Sequence, residues 1–196
     1  MDVTFQFNED RAFASIVYVA SRGLPNLTKY TICKLVVLAD KAHLVRFGRT
    51  ITGDEIYALD YGPIPSRTLN ALTALIADNF ADPTAQRLAP NIVLDKSFQH
   101  PHFSATEIDF EEFLSPSELA ALAEVVEKYG RMDFGELKAI THEFSAYRKA
   151  WESRAEGEHR NIMRFEDFFE EDASAIVGAF EEMIENNKIA NGRPIV

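Results

Sequence analysis

The chain has 196 residues, 46% hydrophobic and 26% charged, which is enough apolar material for one buried core. Its 20 basic against 31 acidic residues leave a net charge of −11, which argues against a general nucleic-acid or anionic-membrane surface because phosphate attachment needs clustered positive charge. A lone Cys33 excludes an internal disulfide, a four-cysteine zinc site and a CxxC redox pair; the absence of a long apolar run and of a secretory opening at Met1-Asp2-Val3-Thr4 leads us to expect a soluble, cytoplasmic protein.

A first helix is predicted to begin at Asn8, whose side chain can cap free backbone donors, and to stop at Gly23, with Phe13, Ile16, Val17 and Ala20 as its buried stripe. A second is capped by Thr28 and ends at Gly48. Its middle, Ile32 to Ala39, is apolar on nearly every side except Lys34, as in a helix surrounded by neighbours. From Thr50 to Tyr61 the period becomes two, which predicts a small hairpin with Gly53-Asp54 supplying turn chemistry. Gly62-Pro63-Ile64-Pro65 excludes regular helix, and Ser66 is expected to cap a third helix with Leu69, Leu72, Leu75 and Ile76 inward. A second strand pair is expected near residues 91–106, as Asn91 to Asp95 followed by Phe98 to Phe103, with Pro101 confining it to an edge.

Ser115-Pro116-Ser117-Glu118 is a capping box with proline at the first helical position, leading into Leu119, Leu122, Ala123, Val126 and Tyr129 and ending at Gly130. Asp133 with Glu136 repeats the cap for Phe134, Leu137, Ile140 and Phe144, and Asp172 starts a last helix through Ile176, Val177, Phe180 and Ile184. These signals describe a mainly α (α+β) protein. They predict a single compact domain over residues 1–190, with five to six helices and two small β elements, and a flexible tail at 191–196.

No phosphate-binding glycine loop, GxSxG elbow, HExxH or EF-hand spacing is present. His100-Pro101-His102, with Glu107 and Asp109 downstream, offers two imidazoles without a defined third and fourth ligand, a weak metal signal that an irregular exposed loop explains better. Asp40 and His43 stand one turn apart, so a carboxylate could hold the histidine proton and favour its charged form. Phe165, Phe168 and Phe169, set among acids, read first as core and second as a docking segment. Trp151 reads in the same order.

The stretch hardest to explain as generic packing runs from Lys34 to Ser66: a buried helix carrying Asp40, Lys41 and His43, a glycine stop, a Thr52-Gly53-Asp54 turn and a rigid Gly-Pro-x-Pro-Ser segment. In Lys34-Leu35, Ala39-Asp40-Lys41-x-His43-Leu44, Phe47-Gly48-Arg49, Ile51-Thr52-Gly53-Asp54 and Tyr61-Gly62-Pro63-x-Pro65-Ser66, in that order, the chain resembles the Panacea domain, the SocA-like or GepA-like antitoxin family of bacteria and phages. The resemblance is strongest over residues 28–76, and Thr141-His142 with Ala150-Trp151 is similar to the family's later pattern; Val36-Val37 departs from it, where many relatives carry an aromatic residue.

The resemblance implies a non-enzymatic antitoxin without a cofactor, whose partner is a cognate toxin bound by direct contact, with one branch acting as an adaptor that delivers the toxin to a protease. The contact and its frame are then expected at Asp40, Lys41, His43, Arg46, Arg49, Asp54, Tyr61 and Pro63. Residues 69–196, with 12 basic against 24 acidic residues, could face a basic toxin surface; residues 1–68 carry 8 against 7. Two other readings compete. One is a metal-dependent or hydrolytic enzyme using Asp40 and His43, with His100 or His102; the other is a regulatory adaptor with a local basic patch at Lys29, Lys34, Lys41, Arg46 and Arg49.

Overall fold

Helix α2 (Lys29–Phe47) is the axis of the molecule. Thr28 accepts from the Thr31 N–H at its start, and Gly48, at φ +67°, takes the left-handed turn that ends it. Every residue from Thr31 to Asp40 is buried, Lys34 included, so the predicted polar exception lies inside with its neighbours. A computed structural model of the chain describes residues 3–170, 175 and 178–190. Around α2 pack α1 (Glu9–Ser21), α3 (Ser66–Ile76), α5 (Pro116–Tyr129), α6 (Phe134–His142) and α8 (Ala179–Ala190). The protein is mainly α with small antiparallel β elements. No helix among the described residues is long and apolar enough to cross a membrane.

The capping signals fall where local chemistry placed them. Asn8 accepts from Arg11 N–H, and both predicted capping boxes, Ser115 with Glu118 and Asp133 with Glu136, are formed. The buried stripe of α5 is turned from the expected one: Glu118, Ala121, Leu122 and Val125 are buried while Ala123 is exposed. The small Ala121 faces inward, letting the helix approach its neighbours closely. Two short helices were not anticipated, α4 (Pro83–Leu88), capped by Asp82, and α7 (Ser145–Glu152). Phe144 is extended and separates α6 from α7, so it packs on Phe168, with ring centres 5.8 Å apart, instead of continuing the α6 stripe. In the predicted last helix, Asp172, Ile176, Val177 and the tail from Asn191 lie outside the described residues.

The hairpin differs from its prediction. Its strands are β1 (Ile56–Leu59) and β2 (Gly62–Pro65), joined by Asp60-Tyr61, and Gly53-Asp54 is not its turn. A proline-rich strand is possible here because pairing alternates. Ser66 N–H bonds to Glu55 O at 2.9 Å and Tyr57 stands opposite Ile64, so the nitrogens of Pro63 and Pro65 point away from β1 and no ladder bond is lost. A third strand, β5 (Arg160–Ile162), pairs with the other side of β1; at three residues it shows no readable alternation. The second ribbon pairs β3 (Ile92–Asp95) with β4 (His102–Ala105), which starts after Pro101 and not at Phe98. Phe165 and Phe168 are core residues beneath β1 and α7, as the packing reading expected.

Candidate protein-docking site

The chain after α2 is held from inside. Asp40 Oδ1 accepts from the backbone N–H groups of Ile51 (2.8 Å) and Thr52 (2.9 Å), and Oδ2 accepts from the Thr52 hydroxyl (2.6 Å). Burial pushes this carboxyl up to about 7, against the three donors, which favour its charged form. Asp54 then reaches the start of α3, where its oxygens accept from Arg67 N–H (3.0 Å), Thr68 N–H (2.8 Å) and Thr68 hydroxyl (2.8 Å). Ser66 is therefore not the cap of α3. The residue at the cap position is Pro65, which has no acceptor side chain, and Asp54 supplies the missing oxygen from the preceding loop.

His43 and Asp40 share a helix but not a partner. The two ring nitrogens of His43 lie 2.8 Å from Arg49 O and 3.1 Å from Ser117 Oγ, and burial lowers its pKa, so the expected contact between Asp40 and a charged His43 is corrected. Arg49 Nη1 bonds buried Glu118 at 2.5 Å, and Arg11 Nε reaches the same oxygen at 3.2 Å. This knot fastens the end of α2 to the starts of α1 and α5. Arg46 makes a bidentate pair with Glu124 (2.5 and 2.9 Å) on a more exposed flank, and Lys41 Nζ lies 4.9 Å from the centre of the Phe144 ring.

Only one of the predicted residues is exposed. Tyr61, 65% exposed at the hairpin turn, overhangs a cleft of about 700 Å³ beside the start of α2. The cleft is walled by aromatic rings from separate elements. Tyr61 and Phe134 have centres 6.4 Å apart, Phe134 and Tyr30 6.3 Å, and Tyr30 and His100 6.3 Å. Lys138 Nζ sits 4.8 Å from the centre of Tyr61 and Lys29 Nζ 5.1 Å from that of Tyr30. Leu59, Ile64, Leu69 and Met132 complete an apolar floor. A concave apolar surface with aromatic walls and polar rims suits a polypeptide side chain.

The predicted residues thus divide. Asp40, His43, Asp54 and Pro63 are buried and hold the frame, and Tyr61 stands at the cleft. Arg46 lies about 24 Å along the axis from Tyr30, at 1.5 Å per residue. Tyr30 and Phe134 were missed as site residues, and His100 was weighed only for a metal or hydrolytic site, because nothing local to any of the three signals the others. His102 stacks on Phe98 with ring centres 4.0 Å apart, and among the described residues no group of three or more His, Cys, Asp or Glu is placed to hold a metal.

A family model described as "Antitoxin SocA-like, Panacea domain" matches residues 32–151, from the first turn of α2 to the end of α7. No curated protein and no solved structure matched the chain.

Proposed function

The chain belongs to the SocA-like antitoxin family through its Panacea domain, and from that premise we propose that it neutralises a cognate protein toxin by direct binding, with the aromatic cleft at Tyr61 as the principal contact. The observation that carries this reading is Tyr61 itself. A tyrosine left 65% in water above an apolar cleft gives up area that a partner could cover. Its ring brings little entropy cost and one polar tip, as interface anchors do. Asp40, His43, Asp54 and Pro63 act as frame, fixing where the hairpin stands. Lys41, Arg46 and Arg49, half-buried near the far end of α2, would be met only by a toxin broad enough to reach past the enclosed stretch of that helix.

We read the role as non-catalytic and without a cofactor. The polar groups an enzyme would use, Asp40 and His43, are spent on backbone and hydroxyl partners, and the cleft is lined by rings instead of by convergent acids and bases. The test is co-expression with the product of the adjacent reading frame. Wild-type chain should abolish its toxicity. A folded Tyr61→Ala protein should lose about 2 kcal/mol of binding, near thirtyfold in Kd, and fail to protect. Full protection by Tyr61→Ala and by Phe134→Ala would place the contact elsewhere.

A further inference from the structure

Lys34 is wholly buried, yet among the described residues its ammonium has no carboxylate in ion-pairing range. The other lysine that acts on it, Lys138, opposes its charge. Its one hydrogen bond among the described residues runs from Nζ to Pro63 O, 3.0 Å away. An unpaired buried ammonium loses more hydration than a single bond to a neutral carbonyl returns, whereas methionine would fill much the same space without that loss. Stability therefore does not account for a lysine here.

What the ammonium touches does. Among the described residues strand β2 pairs only with β1, and the alternation that turns the Pro63 nitrogen away from β1 turns its carbonyl away too, so no ladder donor among them reaches that oxygen. Lys34 supplies one. Gly62, at φ +93°, lies against the same group: a Cβ there would stand 2.4 Å from Nζ and 3.0 Å from His142 Cδ2. The ammonium is thus seated beneath the two residues that follow Tyr61.

We propose that Lys34 is a positioning residue for the docking cleft: by holding the Pro63 carbonyl it fixes the turn that sets Tyr61 against Phe134, without touching the partner. This rests on the reading of the cleft as the toxin contact. The test uses the full chain with Lys34→Met, and as probe the adjacent-frame toxin that wild type silences. The expected variant unfolds at higher temperature than wild type, while the amides of Gly62 and Ile64 exchange faster, the nuclear Overhauser contacts between the Tyr61 and Phe134 rings fade, and toxin binds at least tenfold more weakly.

A variant less stable than wild type would make Lys34 an ordinary structural residue and overturn the proposal. So would unchanged hairpin exchange and ring contacts, whatever the toxin does. A loosened turn with undiminished toxin binding would overturn it as well. In that case Tyr61→Ala tells the errors apart: if it too binds normally the cleft is the wrong surface, and if it does not, only the role of Lys34 was misjudged.

Discussion

Asp54 grips Thr68 twice, accepting from its backbone N–H and from its hydroxyl at 2.8 Å each, and so caps a helix that starts twelve residues downstream. Local capping is worth about 1 kcal/mol, but this carboxylate is buried and also serves Arg67 N–H. Asp54→Ala should cost about 3 kcal/mol in urea unfolding at unchanged slope. Asp54→Asn, which keeps one acceptor oxygen, should cost about half of that. Equal losses would mean that the charge, and not the acceptor geometry, holds α3.

Two buried groups give stability a pH dependence with opposite flanks. Burial raises Asp40 from 3.8 to about 7, so the folded state holds this proton more tightly; the contribution is full below about pH 4 and disappears as pH rises through 7. Burial lowers Lys34 from 10.5 to about 7, so its contribution is full above about pH 10.5 and is lost as pH falls through 7. The stability gap between Lys34→Met and wild type should be widest at or below neutral pH and shrink toward pH 10. That between Asp40→Asn and wild type should move in favour of the variant from pH 4 to 7. Differences that stay flat across these windows would show that neither group titrates as its burial requires.

The helix starts were legible because a cap is a local device: Asn8, Thr28, Ser115 with Glu118, and Asp133 with Glu136 each satisfy donors within three residues. The hairpin was half legible. Alternation marked β1, but Pro63 and Pro65 hid β2, since only the pairing phase shows that their missing donors are not needed. Spacing placed Asp40 and His43 on one face, yet α2 is enclosed through most of its length, and each found a partner from a different segment. Of the cleft, the sequence exposed Tyr61 alone, because Tyr30, His100 and Phe134 meet only through tertiary packing.

Exposure should separate two ion pairs that look alike in distance. Burial alone would push Glu118 up, but Arg49 and the Ser115 N–H outweigh it and hold its carboxyl below the usual range, so its contribution is lost as pH falls through that low value. Glu118→Gln should strip a shared partner from Arg49 and Arg11 and cost about 3 kcal/mol. Arg46 and Glu124 are a third to a half exposed, and Arg46→Ala should cost under about 1 kcal/mol despite its bidentate contact. Chemical denaturation of both variants at one salt concentration checks this, and a costlier Arg46→Ala would reverse the order.

Gly53 and Gly157 both have positive φ, +68° and +85°, so an added side chain is strained at either. Their surroundings differ. A Cβ on Gly157 would meet open space, whereas one on Gly53 would stand 2.1 Å from Gln6 O and 2.8 Å from Gln6 C. The backbone of residues 6–8 cannot yield there without loosening the Asn8 N–H to Thr52 O bond of 2.8 Å, and Thr52 is also the residue that Asp40 clasps. Gly157→Ala should therefore cost about 1 kcal/mol, the conformational strain alone, and Gly53→Ala about 3 kcal/mol or more. Amide exchange would show where the difference arises: Gly53→Ala should quicken exchange at Asn8 and Thr52, and Gly157→Ala should leave both as they are. Matching losses in the two variants would mean that the N-terminal segment gives way freely and does not brace the clasp.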